Sequence, residues 1–285
     1  MKKLFAMMLS AAMLLSLTAC GGKTEAPAPE ASAPEAPALT TVTAGKLTVA
    51  TSPDFAPYEF YAINAEGKPE LAGFDVALAG YIADYLNLEL EIIPMDFDGV
   101  LMELASKKVD LGLAGLSPDP KRENAMDFSN IYYEGGQAFV TVTANKDKFS
   151  TMESINDAAI SVGAQTASIQ MDLANEFSAD TEIIPLPKVT DIIAELLAGK
   201  LDGAYIETAV AQSYQVNYPD LHIVCEVPYD VEGNAVGVKK GNTALLEGVN
   251  KAIAACIEEG AFSKYVADAL EQASGEIYEG LLEDK

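Results

Sequence analysis

Histidine, cysteine and positive charge are scarce in this chain: 285 residues include one histidine, three cysteines, and 18 lysines and arginines against 43 acidic residues. His222 stands alone, without a cluster of cysteines at ligand spacing, so no metal and no other cofactor is expected. Cys225 falls in a strand-like run, Leu221-His-Ile-Val-Cys225, and Cys256 on the apolar face of a helix. Two thiols in apolar settings read as small buried hydrophobes rather than as a disulfide. The formal charge of −25 argues against nucleic acid as a partner and repels anionic lipid headgroups; its plain consequence is solubility. The apolar stretch from Leu4 to Leu17 falls short of the roughly 20 residues that a spanning helix needs.

That stretch follows Lys2 and Lys3 and leads into Leu17-Thr18-Ala19-Cys20-Gly21-Gly22. A basic start, an apolar centre and a small residue before a cysteine make a secretion signal ending in a lipobox. On this reading residues 1–19 are the signal peptide, and the mature chain starts at Cys20 with acyl chains on its thiol and amine. Lipid then holds the protein on the extracytoplasmic face of the cell membrane. The alternative is a soluble secreted protein in which Cys20 is incidental. Lys2 and Lys3 are the leader's only charges, so its removal moves the net charge from −25 to −27. Residues 20–44 form a linker: Gly22 to Thr40 is mostly Ala, Pro, Glu, Ser and Thr, which cannot bury a core and reads as disordered. About 240 residues follow, enough for one large domain or two ordinary ones.

From Lys46 to about Glu259 strand-like and helix-like segments alternate, which places the body in the α/β class. Leu47 to Thr51 reads as a first strand, and Phe74, Leu78, Tyr81, Ile82 and Tyr85 share a helix face. Leu90 to Pro94 is the next strand. Val189, Ile192, Ile193, Leu196 and Leu197 repeat the helical spacing. Leu246, Val249, Ile253 and Cys256 do so again, between Thr243 as N-cap and Gly260 as stop. The chain also echoes itself. Leu104-Ala-Ser-Lys-Lys108-Val-Asp110-Leu-Gly-Leu-Ala-Gly115 parallels Leu196-Leu-Ala-Gly-Lys200-Leu-Asp202-Gly-Ala-Tyr-Ile-Glu207, each reading helix, Lys-apolar-Asp turn, strand. If each half is its own sheet, Gly115 and Glu207 occupy one place, the C-terminal end of a strand, where open α/β sheets bind ligands. Two such ends facing each other make a cleft.

Four clusters at strand ends together describe a receptor for a zwitterion. In Gly115-Leu-Ser117-Pro-Asp119-Pro120-Lys-Arg122, Asp-Pro predicts a helix start, and Arg122 in its first turn points back toward Ser117. Guanidinium, hydroxyl and strand-end amides then suit a carboxylate, although Arg122 could instead pair with Asp119 or Asp127 at the surface. Gly163-Ala-Gln165-Thr-Ala-Ser168-Ile169-Gln170 follows a strand at Ala159 to Val162 and precedes a helix with Ile169, Leu173 and Phe177 on one face, leaving N–H groups open to an anion. It has no Gly-Lys-Ser/Thr, which sets it apart from a phosphate loop. Glu207 is either a cap for the helix from Thr208 or the partner of an ammonium. Ser52-Pro-Asp-Phe55-Ala-Pro57-Tyr58-Glu59-Phe60 and Met95-Asp-Phe97-Asp98 carry aromatics that either join the core or stack on a ligand.

Thr51-Ser-Pro-Asp-Phe-Ala-Pro-Tyr-Glu-Phe60, Gly73-Phe-Asp-Val76, Met95-Asp-Phe-Asp-Gly99, Ala114-Gly-Leu-Ser117 with Arg122, Asp127-Phe-Ser129 with Tyr132-Tyr133, and Lys239-Lys-Gly-Asn-Thr243 come in order along the chain. In these residues it resembles the polar amino-acid-binding proteins of ABC importers, the bacterial extracellular solute-binding proteins of family 3. The resemblance implies a two-lobed, type II periplasmic-binding-protein fold hinged by two crossover strands and closing on its ligand. Lobe 1 would take 45–136 and 230–285, and lobe 2 would take 137–229. The resemblance further implies that Phe55 and Phe97 sandwich the ligand side chain, with Ser52 and Gln165 in the same site. Ser117 and Arg122 would bind the α-carboxylate with help from Ser168 and the Ile169 amide, and Glu207 with the Gly115 carbonyl would bind the α-ammonium. The family commonly has aspartate where Glu207 stands. Members holding basic side chains often carry an acid where Ser52 stands; here Asp54, Glu59, Asp96 or Asp98 could reach a cation. The implied function is capture of a free L-amino acid, polar or charged, by a monomer that serves a membrane permease and its ATPase without catalysis. Dehydratases of arogenate or prephenate share the fold, and in one Glu207 would serve as general acid. A sensor subunit reporting amino acids to a membrane partner is the third reading.

Overall fold

A computed structural model describes residues 39–230, 233–275 and 277; the leader, Cys20 and most of the linker lie outside the described residues. The chain opens with β1 (Lys46–Thr51). A small antiparallel sheet follows, formed by β2 (Asp54–Phe55), β3 (Glu59–Ile63) and β4 (Pro69–Ala72), and then come α1 (Phe74–Tyr85), β5 (Glu89–Pro94), α2 (Phe97–Ala105), β6 (Leu111–Gly112) and β7 (Met126–Tyr133). Residues 134–136 cross to a second lobe of β8 (Gln137–Val142), β9 (Ser161–Gln165), α3 (Ile169–Phe177), β10 (Glu182–Leu186), α4 (Val189–Leu197), β11 (Gly203–Glu207), α5 (Thr208–Asn217) and β12 (Leu221–Glu226). The chain then returns as β13 (Asn234–Lys239), α6 (Thr243–Glu258) and α7 (Ala261–Ala273).

Both large sheets follow one plan. The first runs β5-β1-β6-β13-β7 and the second β10-β9-β11-β8-β12. In each, three strands are parallel and the fourth runs against both neighbours. That fourth strand, β13 or β8, is the one delivered by the crossover from the other lobe. The sequence echo aligns with this symmetry. Leu111 and Gly112 stand opposite Val49 and Ala50, as Gly203 and Ala204 stand opposite Val162 and Gly163. The aspartate one residue earlier pins the central strand in each lobe: Asp110 accepts the Thr48 N–H at 3.1 Å and Asp202 the Ser161 N–H at 3.1 Å. Asp110 is the deeper of the two and also binds the Thr48 hydroxyl and Lys239.

Three local expectations change. Asp119-Pro120 opens no helix; residues 120–125 make successive turns, with the Arg122 N–H donating to the Asp119 carbonyl. β7 begins at Met126, and the few residues before it cannot repay helix nucleation. Asn242, whose side chain accepts the Leu245 N–H, caps α6 in place of Thr243. The strand expected at Ala159 to Val162 starts at Ser161 and runs on to Gln165, because its pairing with β10 continues to Leu186. Cys256 is buried and Cys225 half-buried, both as free thiols. Among the described residues no group of His, Cys, Asp and Glu could hold a metal.

Candidate ligand-binding site

Gly73 starts the construction of the site. At φ +116° it brings the start of α1 against the preceding loop so closely that a Cβ there would lie 2.1 Å from the Tyr58 carbonyl oxygen. Phe74 and Asp75 donate their N–H groups to the Pro57 and Tyr58 carbonyls, fixing the loop that carries Phe55. Phe97 opens α2, Gly115 follows β6, and Ile169 opens α3. Phe55, Phe97, Gly115, Ser117, Arg122, Gln165 and Ile169, with Ala114 and Gln170, line one cavity between the lobes. Its volume of about 10 Å³ accommodates about one water, so an amino acid enters only when the lobes part.

Arg122 reaches across this cavity. Its guanidinium carbon lies 5.7 Å from the Phe97 ring centroid, and its nitrogens donate to the Ser117 carbonyl at 3.4 Å and, in the other lobe, the Ala167 carbonyl at 3.0 Å. Ala167 holds φ +62°, which costs a non-glycine residue about 1–2 kcal/mol. Burial lowers the Arg122 pKa despite the nearby Asp119 and Asp172. A carboxylate is a stronger acceptor for this fork than either carbonyl. Ser168 is the N-cap of α3, accepting the Met171 N–H and donating to the Gln165 carbonyl; its side chain is not part of the cavity lining.

Asp54 forms a second focus. Ser52, itself outside the lining, donates its hydroxyl to Asp54 Oδ1 at 2.7 Å. Asp54 Oδ2 accepts from two groups of the other lobe, the Val189 N–H at the start of α4 (2.5 Å) and the Gln165 amide (3.2 Å). Burial pushes the Asp54 pKa up to about 6 against these bonds, and neighbouring Asp96 adds to the rise. Asp96 Oδ1 is buried without a hydrogen-bond partner among the described residues. Among the described residues neither carboxylate is paired with a lysine or arginine.

Glu207 ends β11 and caps α5: Oε2 accepts the Val210 N–H at 2.8 Å and Oε1 the Gly136 N–H of the first crossover at 3.2 Å. Of the two roles open to it, the cap is the one its bonds display. It faces a cleft of about 740 Å³ along the crossovers, lined also by Glu134, Glu226 and Gln137. Gln170 donates to Gln137 at 2.7 Å and so links the lining of that cleft to the lining of the small cavity.

The model of the bacterial extracellular solute-binding proteins, family 3, matches residues 47–271. The chain belongs to this family. An arginine-binding extracellular protein of Bacillus subtilis (strain 168) is 31% identical over 271 residues, covering 93% of this chain and 96% of its own. The structure of an amino acid ABC transporter substrate-binding protein from Streptococcus pneumoniae, bound to L-arginine, superposes with a TM-score of 0.77 at 33% identity over 81% of this chain and 97% of that one. An ancestral amino-acid-binding protein described as a precursor of cyclohexadienyl dehydratase gives 0.71 at 26% identity over 79% and 96%.

Sequence reading assigns no role to Gln170 in this solute-binding protein, because its partner lies 33 residues away and no local pattern joins them. Three buried acids also distinguish the site. Burial pushes Asp54 and Asp75 up to about 6 and Glu207 up to about 7. Each takes up a proton on folding, so its stabilising contribution is fully present below the ordinary carboxylate pKa of about 4 and is lost as pH rises through 6 to 7. The stability of the ligand-free protein is therefore expected to rise as pH falls from about 8 to about 5, by at most about 1.4 kcal/mol per pH unit for each group, and the melting temperature with it. A melting temperature that drops steadily over that interval contradicts the assignment.

Proposed function

We propose that this solute-binding protein captures a basic L-amino acid, arginine foremost, and delivers it to an ABC permease and its ATPase while lipid on Cys20 holds it, as a monomer, at the cell membrane. One observation carries the specificity. The cavity is lined by two aromatic rings, a desolvated arginine and a glutamine amide that is itself held by a buried carboxylate with no lysine or arginine paired to it among the described residues. Arg122 and Ser117, with the Ile169 N–H at the start of α3, take the α-carboxylate. The Gly115 carbonyl takes the α-ammonium, and Glu207 shares it once the lobes have opened. A cationic side chain stacks on Phe55 and Phe97 and supplies the charge that Asp54 and Asp96 lack. The relatives named for arginine support that choice, and the lipobox supports the anchor.

A thermal-shift screen of the ligand-stripped protein against the common amino acids tests the reading. Ligand at a hundredfold excess over its dissociation constant stabilises by about 2.7 kcal/mol, and arginine is expected to give the largest shift. A response to neutral or acidic amino acids alone would overturn the basic specificity. Silence across the set would overturn the receptor, and product formation from arogenate or prephenate would then favour the dehydratase to which one structural neighbour is linked. The anchor is tested by fractionation: Cys20→Ser is expected to leave the membrane fraction, and its retention there removes the lipid from the proposal.

A further inference from the structure

Beneath the cavity lies a pair of acids for which the proposed function has no use. Glu59, in β3, is fully buried, and neither carboxyl oxygen has a donor partner among the described residues. Asp75, in the first turn of α1, is its neighbour and repels a charge on it. Asp75 is equally buried but fully engaged: Oδ2 accepts the Gly115 N–H at 3.0 Å and Oδ1 the Tyr132 hydroxyl at 2.7 Å. Two neighbouring buried carboxylates, one of them without a donor, are not both ionised, so one carries a proton. Asp75 already accepts on both oxygens, which leaves the proton to Glu59.

The pair touches the ligand site through Gly115. Asp75 holds that residue's N–H, while its carbonyl accepts the Asn234 side-chain amide at 2.7 Å; Tyr58 donates to Asn234 in turn. The peptide planes on both sides of the Gly115 Cα are thereby fixed. They need fixing, because Gly115 stands at φ +55° and a Cβ there would lie 2.6 Å from the Phe55 ring. We propose that Glu59 and Asp75 carry one proton between them, resident on Glu59, and that the Asp75 carboxylate is a positioning residue that orients Gly115 for the ligand's ammonium. The ligand half of this proposal rests on the reading of the cavity as an amino-acid site. Burial and the neighbouring Asp75 push Glu59 well above the usual carboxylate range, in keeping with a neutral acid.

Infrared spectra of the ligand-free full chain test the proton. At about pH 9, above the range in which Asp54, Asp75 and Glu207 titrate, a protonated-carboxyl stretch is expected in the wild type and not in Glu59→Gln. No band, or a band that survives in Glu59→Gln, overturns the shared proton whatever the ligand proves to be. Calorimetry with L-arginine tests the positioning. Glu59→Gln, which is neutral like the protonated acid, is expected to bind within about twofold of wild type, whereas Asp75→Asn is expected to bind at least about tenfold more weakly. Asp75→Asn with wild-type affinity and a lowered melting temperature would make the pair merely structural. If Asp75→Asn does not fold, Glu59→Leu decides: weaker binding supports the proposal and unchanged binding overturns it. A wild type that binds no amino acid defeats the reading of the cavity and leaves the infrared result to stand by itself.

Discussion

Arg122→Ala will leave the fold intact and raise the dissociation constant for an amino acid by about a hundredfold or more. The side chain comes from a run of turns, and removing it costs the free protein only its contacts to the Ser117 and Ala167 carbonyls and the Phe97 ring. Ordinary hydrogen bonds of this kind contribute about 1 kcal/mol each, so the melting temperature should move little. The bound state loses much more. A ligand carboxylate would be enclosed without its charged partner, at a cost on the order of 3 kcal/mol. Arg122→Lys should fall between the two, since it keeps the charge and loses the planar fork. Calorimetric titration of the folded alanine variant reads the effect, and near-wild-type affinity would remove Arg122 from the carboxylate role.

Asp54→Asn separates specificity from affinity. The amide oxygen of asparagine, in the place of Oδ2, can still accept the Val189 N–H and the Gln165 amide, and its NH2, in the place of Oδ1, can donate to the Ser52 hydroxyl oxygen, so the contact between the lobes survives. The buried negative charge does not survive. Affinity for arginine is expected to fall about fiftyfold, roughly 2.3 kcal/mol, while glutamine binds as well as before or better. Equal losses for both ligands would show that Asp54 acts as a latch on α4 and that the cation is recognised elsewhere. Asp96, with its unpartnered buried oxygen, would be the next residue to change.

Much of this organisation is legible in the sequence, and most of the failures have a common cause. The periodic helices α1 and α4 were readable from residue spacing alone, because apolar side chains at helical intervals must share a face. The echo around Asp110 and Asp202 was also readable, since the same local pin was needed in both lobes. Seven of the ten residues assigned to the site converge on one cavity, while Ser52 and Ser168 bond groups beside it and Glu207 faces the larger cleft along the crossovers. Local sequence says that a serine or glutamate ends a strand or opens a helix. It does not say whether that side chain turns to its own backbone or to the ligand. Gln170 with Gln137, and Asp54 with Val189, depend on the approach of segments 33 and 135 residues apart. Asp119-Pro120 misled for a different reason: it is a sound helix opening with no room for a helix before β7.

The exchange of fourth strands sets an order on the birth of the molecule. Every strand of the second sheet lies between Gln137 and Glu226, so that lobe is complete once its last strand has emerged from the ribosome or the export channel. The first lobe begins earlier and finishes later. Until Asn234 to Lys239 arrive, β6 has an open edge and β7 has no neighbour. An unfinished sheet with bare backbone groups is a template for pairing with the wrong chain. The half of the protein synthesised first is therefore the half most in need of shelter during export.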